Sequence, residues 1–448
     1  MARFLAIWFG QVIAGCGANL ATFCLGIWLY RQSESVTQFS LLLFFHTVPV
    51  VLLAGAAGRA ADRWNQRRTL MISDALSASI ALVYIGLLQA SIMSPLWIYA
   101  LACAGGCLSA FQWPAYRSWS TRLVAPRDFG RIGGLMKLGE GIPYLLGPVL
   151  GGALMAETSL TAVFGINLVA FLLSVLVLAA VGAAGTAESA PPGVDSAAKG
   201  ASTLGEFLRP RPGLIALLLM SPFIVFTEGW VVTLFQPFML HHVDSARMGL
   251  VLSLGGIGMV VGGILMGIWG GPRRQIFSVL GGIFAQTLLV AALALAKPGL
   301  WTGTLAAFFY FFAIPFLSGS NQAIWQVLTP AHLQGRMFAF RRATESIATP
   351  ASLLTAGLLV DFVLKPLLRP EGPLAFLNGV VPEGPTAPIA VLLLFVAVLN
   401  SALIAAAFLY RPVRRIDLEL DPPSLDHPES NRSGFAATEA VAAARRSA

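Results

Sequence analysis

The sequence predicts an all-α integral membrane protein, with twelve transmembrane helices in two six-helix repeats. Three observations predict it: a composition too apolar for water, the number and length of the apolar runs, and the placement of basic residues between them.

Of the 448 residues, 56% are hydrophobic and only 11% are charged. A soluble domain carries about 25% charged residues, and no single core of this size hides so much apolar surface. Lipid is therefore the solvent for most of the chain. Cys16, Cys24, Cys103 and Cys107 all fall in apolar segments. Their spacing suits neither zinc ligation nor a disulfide scaffold, so they read as small hydrophobes. The net charge of +8 comes from short clusters between apolar runs. That is a topology signal and not the stripe that nucleic acid would need. No cofactor or metal is implied, and no nucleic-acid partner.

A spanning helix needs roughly 17 to 25 mostly apolar residues. Such runs lie near 5–30, 38–57, 69–91, 95–115, 132–155 and 160–182, then 213–238, 248–270, 275–296, 301–322, 341–363 and 389–410. The first has a basic residue before it but no convincing cleavage site, so it reads as a span and not a removable leader. No lipidation motif is visible. With both termini in the cytoplasm, 23 of the 29 basic residues face inward, five face outward, and Lys137 lies within a span. This bias is what the positive-inside rule requires.

The Ala/Gly/Ser/Pro-rich stretch after residue 182 separates the halves. The expected organisation is a first bundle over 1–182, a cytoplasmic linker over 183–212, a second bundle over 213–410, and a disordered cytoplasmic tail over 411–448. The stretch 365–388 is the one long outside loop. The halves echo each other at an offset of about 205: Arg67–Arg68 with Arg273–Arg274, VAPRDFGR with LTPAHLQGR, and Glu140 with Glu345. Repeats of this kind are typical of alternating-access carriers.

These features resemble the major facilitator superfamily. GRAADRWNQRR supplies Gly58, Asp62, Arg63, Arg67 and Arg68 at the positions of that family's signature loop. GPVLGG in the fifth span supplies Gly147, Pro148, Gly151 and Gly152, the core of the motif associated with antiporters; Pro143 stands where the full motif has glycine. Within the family the chain is most similar to bacterial macrolide-efflux and siderophore-export proteins, on DRWNQRRTLMISD, PAYRSWSTRLVAPRDFGR and the late LTPAHLQGRMFAFRRATESIATP segment. The second half departs from the signature, because GGILMGIWGGPRR has no acidic residue matching Asp62.

Physical readings accompany the motifs. Asp62 can accept charge-assisted hydrogen bonds from arginines or a helix N-terminus and so hold one conformation; otherwise the arginines only set topology. The small residues of GPVLGG allow close helix contact in lipid, and Pro148 kinks the helix. Charges inside spans are costly and mark functional candidates. Glu228 leads, for proton coupling or for binding a cationic group. Glu140 follows, paired with Lys137 three residues away, then Glu345 beside Arg341 and Arg342, and Asp74, read mainly as a packing residue. Asp361 reads as interfacial, and His46 as either a packed polar side chain or a minor proton participant. Gln11, Asn19, Phe23, Trp230 and Gln236 are candidates for lining a route through the first and seventh spans.

The expectation is a monomeric secondary transporter of the bacterial cytoplasmic (inner) membrane. It would export a small amphiphilic organic molecule (a drug, a macrolide-like compound or a siderophore) in exchange for protons. An importer or a flippase of lipid-like molecules is the alternative within transport, and a non-transporting receptor or scaffold the alternative outside it. No nucleotide-binding loop and no nucleophile–base set points to an enzyme.

Overall fold

The structure is a computed structural model that describes residues 1–124, 129–182, 204–272, 274–296, 299–382 and 384–417. Several sequence expectations lie outside these residues: most of the linker, the tail beyond 417, Arg127, Lys199, Arg273 and Lys297.

The described chain is almost entirely helical. The first half is α1 (Ala2–Ser33), α2 (Val36–Arg63), α3 (Gln66–Gln89), α4 (Pro95–Arg122), α5 (Phe129–Glu157) and α6 (Leu160–Gly182). A short α7 (Leu204–Leu208) falls within the stretch expected to be linker. The second half is α8 (Pro212–Leu240), α9 (Ser245–Trp269), α10 (Gln275–Leu295), α11 (Leu300–Leu328) and α12 (Ala331–Leu358), followed by α13 (Lys365–Leu367), α14 (Ala387–Leu409) and α15 (Arg411–Arg414). A π-helical turn, Leu359–Leu364, joins α12 to α13.

Local chemistry sets the boundaries. The Ser35 side chain accepts from Gln38 N at the start of α2, Asn65 from Arg68 N at α3, and Asp244 from Arg247 N at α9. These caps satisfy amides that have no intrahelical partner. Gly270 ends α9 in the left-handed region at φ 76°, which glycine adopts without steric cost.

Eleven helices among the described residues are long and apolar enough to cross a membrane, so the chain is a multi-pass membrane protein. The remaining long helix, α5, is 29 residues. Its glycines, Pro143, Pro148, Lys137 and Glu140 dilute its hydropathy. Several helices also run past the apolar limits read from the sequence: α4 to Arg122, α11 to Leu328, and α12 from Ala331 instead of 341. Hydropathy reports where lipid ends, and a helix can continue into water while its backbone bonds remain satisfied.

The packing repeats. α1 meets α5 and α6, α3 meets α4 and α6, and α2 meets α4. In the second half α8 meets α12 and α14, α10 meets α11 and α14, and α9 meets α11, the same relations in the same order. Two seams join the halves, α5 with α9 and α12 with α2. At the first, a Cβ on Gly152 would stand 2.7 Å from Ser245 O and 2.9 Å from Gly249 Cα. At the second, a Cβ on Gly357 would stand 2.5 Å from Thr37 Cα and meet the Ser40 hydroxyl. Gly152 and Gly357 are 205 residues apart (357 − 152), as are Ser40 and Ser245 (245 − 40). Each seam thus sets the equivalent glycine against the equivalent serine, through the Ser245 carbonyl in one and the Ser40 hydroxyl in the other.

Both seams lie at the end of the bundle away from the basic clusters. There Asp361, in the π-helical turn, accepts from Ser35 Oγ and Thr37 N, each at 2.7 Å, and lies 2.6 Å from Lys365 Nζ. A carboxylate of one half thereby caps the first turn of a helix in the other, beyond the interfacial role read from the sequence. The segment after α13 packs back on itself, with Leu374 N bonded to Leu367 O and Asn378 Nδ2 to Leu368 O.

Candidate functional site

A cavity of about 1600 Å³ lies between the halves. It opens at the basic end, where the Arg117 and Lys137 side chains are 53% and 72% exposed. It narrows toward Leu25, Leu42, Ile80 and the stacked rings of Tyr84 and Phe164, whose centroids are 4.3 Å apart. Amides interrupt this apolar wall: Gln11 and Asn19 from α1, Gln112 from α4, Asn167 from α6 and Gln322 from α11. A wide, mostly apolar enclosure with a few directed polar groups suits an organic molecule of some size.

The mouth is charged on both sides. Glu140 accepts from Lys137 Nζ at 2.7 Å and from Arg117 Nη2 at 3.1 Å. Glu345 accepts from Arg341 Nη2 at 3.2 Å and takes a short hydrogen bond from Ser221 Oγ. Lys137 with Glu140 and Arg342 with Glu345 stand 205 residues apart (342 − 137, 345 − 140) and occupy facing walls. The pairing of Glu140 with Lys137 has the i,i+3 geometry expected of one helix face.

Asp74 stands one layer behind the wall and is fully buried. Its Oδ2 accepts from Ser174 Oγ at 2.7 Å and Gln11 Nε2 at 2.8 Å, and its Oδ1 from Gln112 Nε2 at 2.6 Å. Gln112 also reaches Gln11 Oε1 at 3.2 Å. Every hydrogen-bond partner is neutral, and two of them, Gln11 and Gln112, face the cavity. The polar chain therefore runs from the cavity to a carboxylate with no counter-charge bonded to it.

Other candidates lie elsewhere. Glu228 is not on the cavity wall and makes no hydrogen bond or ion pair among the described residues. Trp230 is buried against Phe226 and Phe395 and donates to Thr355 Oγ1 at 2.9 Å. Gln236 has a buried Nε2 without a partner among the described residues. Phe23 fills the space beside Gly151, where a Cβ would come within 2.6 Å of its ring. Gly147 meets Asn19 in the same way, and Pro148 packs its carbonyl on Gly249. The GPVLGG stretch is thus a packing face toward α1 and α9.

In the signature loop, Gly58 has open space around it, and Asp62 and Arg63 are exposed. Asp62 makes no hydrogen bond or ion pair among the described residues. Arg67 donates from Nε to Leu178 O and from Nη2 to Ala179 O, each at 3.0 Å, closing the C-terminal end of α6. A cation there satisfies free carbonyls and complements the helix dipole. Arg68 contributes its backbone amide to the Asn65 cap.

Sequence reasoning missed Gln112, Ser174, Asn167 and Arg117 as site residues. A polar residue inside an apolar run was the available signal, but the helix face it occupies is set by packing. Among the described residues, no group of three or more His, Cys, Asp or Glu side chains could hold a metal ion.

A multi-pass helical bundle with a large cavity between two similarly packed halves, open at one end and sealed at the other, has the build of a membrane carrier. The profile of the Major Facilitator Superfamily matches residues 7–352, and the chain belongs to that family. It is 21% identical over 368 residues to macrolide efflux protein A of Streptococcus pyogenes, covering 80% of this chain and 89% of that protein. It is 26% identical over 372 residues to the multidrug efflux pump Tap of Mycobacterium bovis (strain BCG / Pasteur 1173P2), covering 78% and 84%. In fold it is similar to a bacterial homologue of the human lysosomal transporter Spinster in an inward-facing, unoccupied conformation. That likeness has TM-score 0.67 and 16% identity over 93% of this chain and 97% of that one. A bacterial homologue of the iron transporter ferroportin in an inward-facing state gives TM-score 0.65 at 14% identity, over 90% and 98%. The chain is a transporter and not an enzyme.

Proposed function

We propose that the protein is a twelve-span, two-repeat carrier of the bacterial cytoplasmic membrane. It exports an amphiphilic organic molecule by alternating access, in exchange for protons. The observation that carries this reading is the large cavity between the halves, open at the basic end and closed at the other by the paired glycine seams and by Asp361. The positive-inside rule assigns the basic end to the cytoplasm, so the conformation described is the one that loads cargo from inside.

In this reading, residues 1–182 and 213–410 rock so that the α5–α9 and α12–α2 seams part at the sealed end as the basic end closes. Residues 183–212 link the two bundles; at the basic end, the expected tail is ordered over 411–417, where α15 packs on α8 and Asp417 accepts from Ile276 N at 3.0 Å. Export is favoured by the relatives, whose names describe efflux. Asp74 is the better proton carrier than Glu228, because its amide partners connect it to the cavity. Glu140–Lys137 and Glu345 shape the cargo entrance.

The test is transport into everted membrane vesicles that hold the full chain, offered a panel of macrolides, siderophores and detergent-like toxins. Uptake of a compound driven by an inside-acid gradient is the expected result. Efflux from preloaded vesicles under the same gradient, with no uptake, would instead establish an importer.

A further inference from the structure

We propose that the cargo is an anionic amphiphile. Arg341 and Arg342 hold its acidic group at the cavity mouth, and the apolar inner wall holds its body. This rests on the reading of the cavity as the cargo site and names the chemistry that the site selects.

The first observation is a buried guanidinium with unused donors. The Arg341 side chain is only 10% exposed and lies on the cavity wall. Nη2 donates to Glu345, but Nε and Nη1 have no acceptor among the described residues. Its carbon Cζ sits 5.2 Å from the ring centroid of Trp325. That contact engages the guanidinium charge, but a ring face offers no lone pair to its N–H bonds. The ring therefore leaves those donors unsatisfied. A buried donor of this kind is costly to leave unpaired, and a carboxylate, sulfonate or phosphate is the acceptor a guanidinium matches best.

The second observation is the charge on the wall. Among the described residues its charged side chains are Arg117, Lys137, Arg341, Arg342, Glu140 and Glu345, four cations against two carboxylates. Both carboxylates are already engaged, Glu140 by Lys137 and Arg117, Glu345 by Arg341 and Ser221. Arg342 makes no hydrogen bond or ion pair among the described residues and is exposed to the cavity. A cationic cargo would meet surplus positive charge and no unengaged carboxylate on this wall. A neutral one would leave Arg341 as it is, and an acid answers both features.

The third is shape. The α1 wall runs from Gln11 to Leu25, roughly 20 Å at 1.5 Å per residue. Beyond the mouth it meets Leu42, Ile80, Tyr84 and Phe164, so an acidic head at the arginines leaves an apolar recess for a long body.

Binding of matched probes to the purified full-length chain in an uncharged detergent tests this apart from transport. The probes are 11-(dansylamino)undecanoic acid, its primary amide and the amine of equal length, read by energy transfer from tryptophan. The acid is expected to bind at least tenfold more tightly than the amide, and the amine more weakly than either. Arg342→Gln is expected to reduce the acid's advantage severalfold, and Arg341→Gln to abolish it. Arg342 is exposed, so its variant decides the matter even if the buried Arg341 variant does not fold. Equal binding of acid and amide, tighter binding of the amine, or an acid preference untouched by Arg342→Gln would each overturn the inference. Amide binding without an acid advantage would do so while leaving the amphiphile-export reading in place. If no probe binds, both fall.

Discussion

Asp74 and Glu228 are both carboxylates within apolar helices, yet their surroundings separate them. Asp74 is fully buried among Ser174, Gln11 and Gln112 and is one residue removed from the cavity. Three neutral donors stabilise its charge without cancelling it, so a proton arriving through the amides changes the net charge of the first half. Asp74→Asn is therefore expected to leave abundance and cargo binding near wild type but to lower proton-driven transport at least tenfold. Counterflow exchange of cargo, which needs no net proton movement, should persist. Full proton-driven flux in Asp74→Asn would remove Asp74 from the coupling role. The contrast also marks the limit of sequence reading. The presence of both charges was plain from the one-dimensional chain. Which one faces polar partners depends on helix rotation, and Gln112 lies 38 residues and Ser174 100 residues from Asp74. Arg341 was legible only as a neighbour of Glu345, because an unsatisfied donor is a property of packing.

The helices that cross between halves carry the mechanical load. At the α5–α9 seam, backbone meets backbone at Gly152 and Gly249, and at the α12–α2 seam Gly357 meets Thr37 and Ser40. The repeat offset and the GPVLGG motif made the first seam partly legible. The second has no such motif, and its equivalence emerges only when Gly357 is seen to occupy the place of Gly152. A leucine at either glycine would drive a side chain into a neighbouring backbone, an overpacking cost of about 1–3 kcal/mol borne only while the seam is closed. Gly152→Leu and Gly357→Leu are each expected to favour opening of the sealed end. Cysteine labelling there, from the side opposite the basic clusters, should rise several-fold. Asp361 belongs to the same closure. Removing its carboxylate forfeits the cap on α2 and the contact with Lys365, about 1 kcal/mol for the cap alone. Asp361→Ala should therefore raise the same labelling, and Asp361→Glu should restore part of the closure. Labelling unchanged in Gly152→Leu, Gly357→Leu and Asp361→Ala alike would mean that the sealed end is held elsewhere.

For the molecule as a whole, Asp62, without a partner among the described residues, is informative because the basic end is open. An exposed carboxylate without a bond contributes nothing to the conformation described. If it is to act as a gate, its hydrogen bonds must form when α2 and the facing half approach and the basic end shuts. A charge-assisted hydrogen bond is worth about 1.5–3 kcal/mol, so Asp62→Asn should shift the balance toward the open-mouth state roughly tenfold or more. The substitution should not impair membrane insertion, because Asp62 is exposed and contributes little to topology beside its arginines. A single cysteine at Ser318 on the cavity wall, in a background with the four native cysteines replaced, reports this balance by its labelling rate from the basic side. Faster labelling together with lower transport, at normal abundance, is the expected pair of outcomes. Slower labelling would place Asp62 among the groups that hold the mouth open, and unchanged transport would leave the loop as a topology signal only. Two seams at one end and one carboxylate waiting at the other would make the exchange of states a choice between contacts on opposite faces. Neither half would need to deform internally, and the repeated neighbour relations of the two bundles favour that rigid motion.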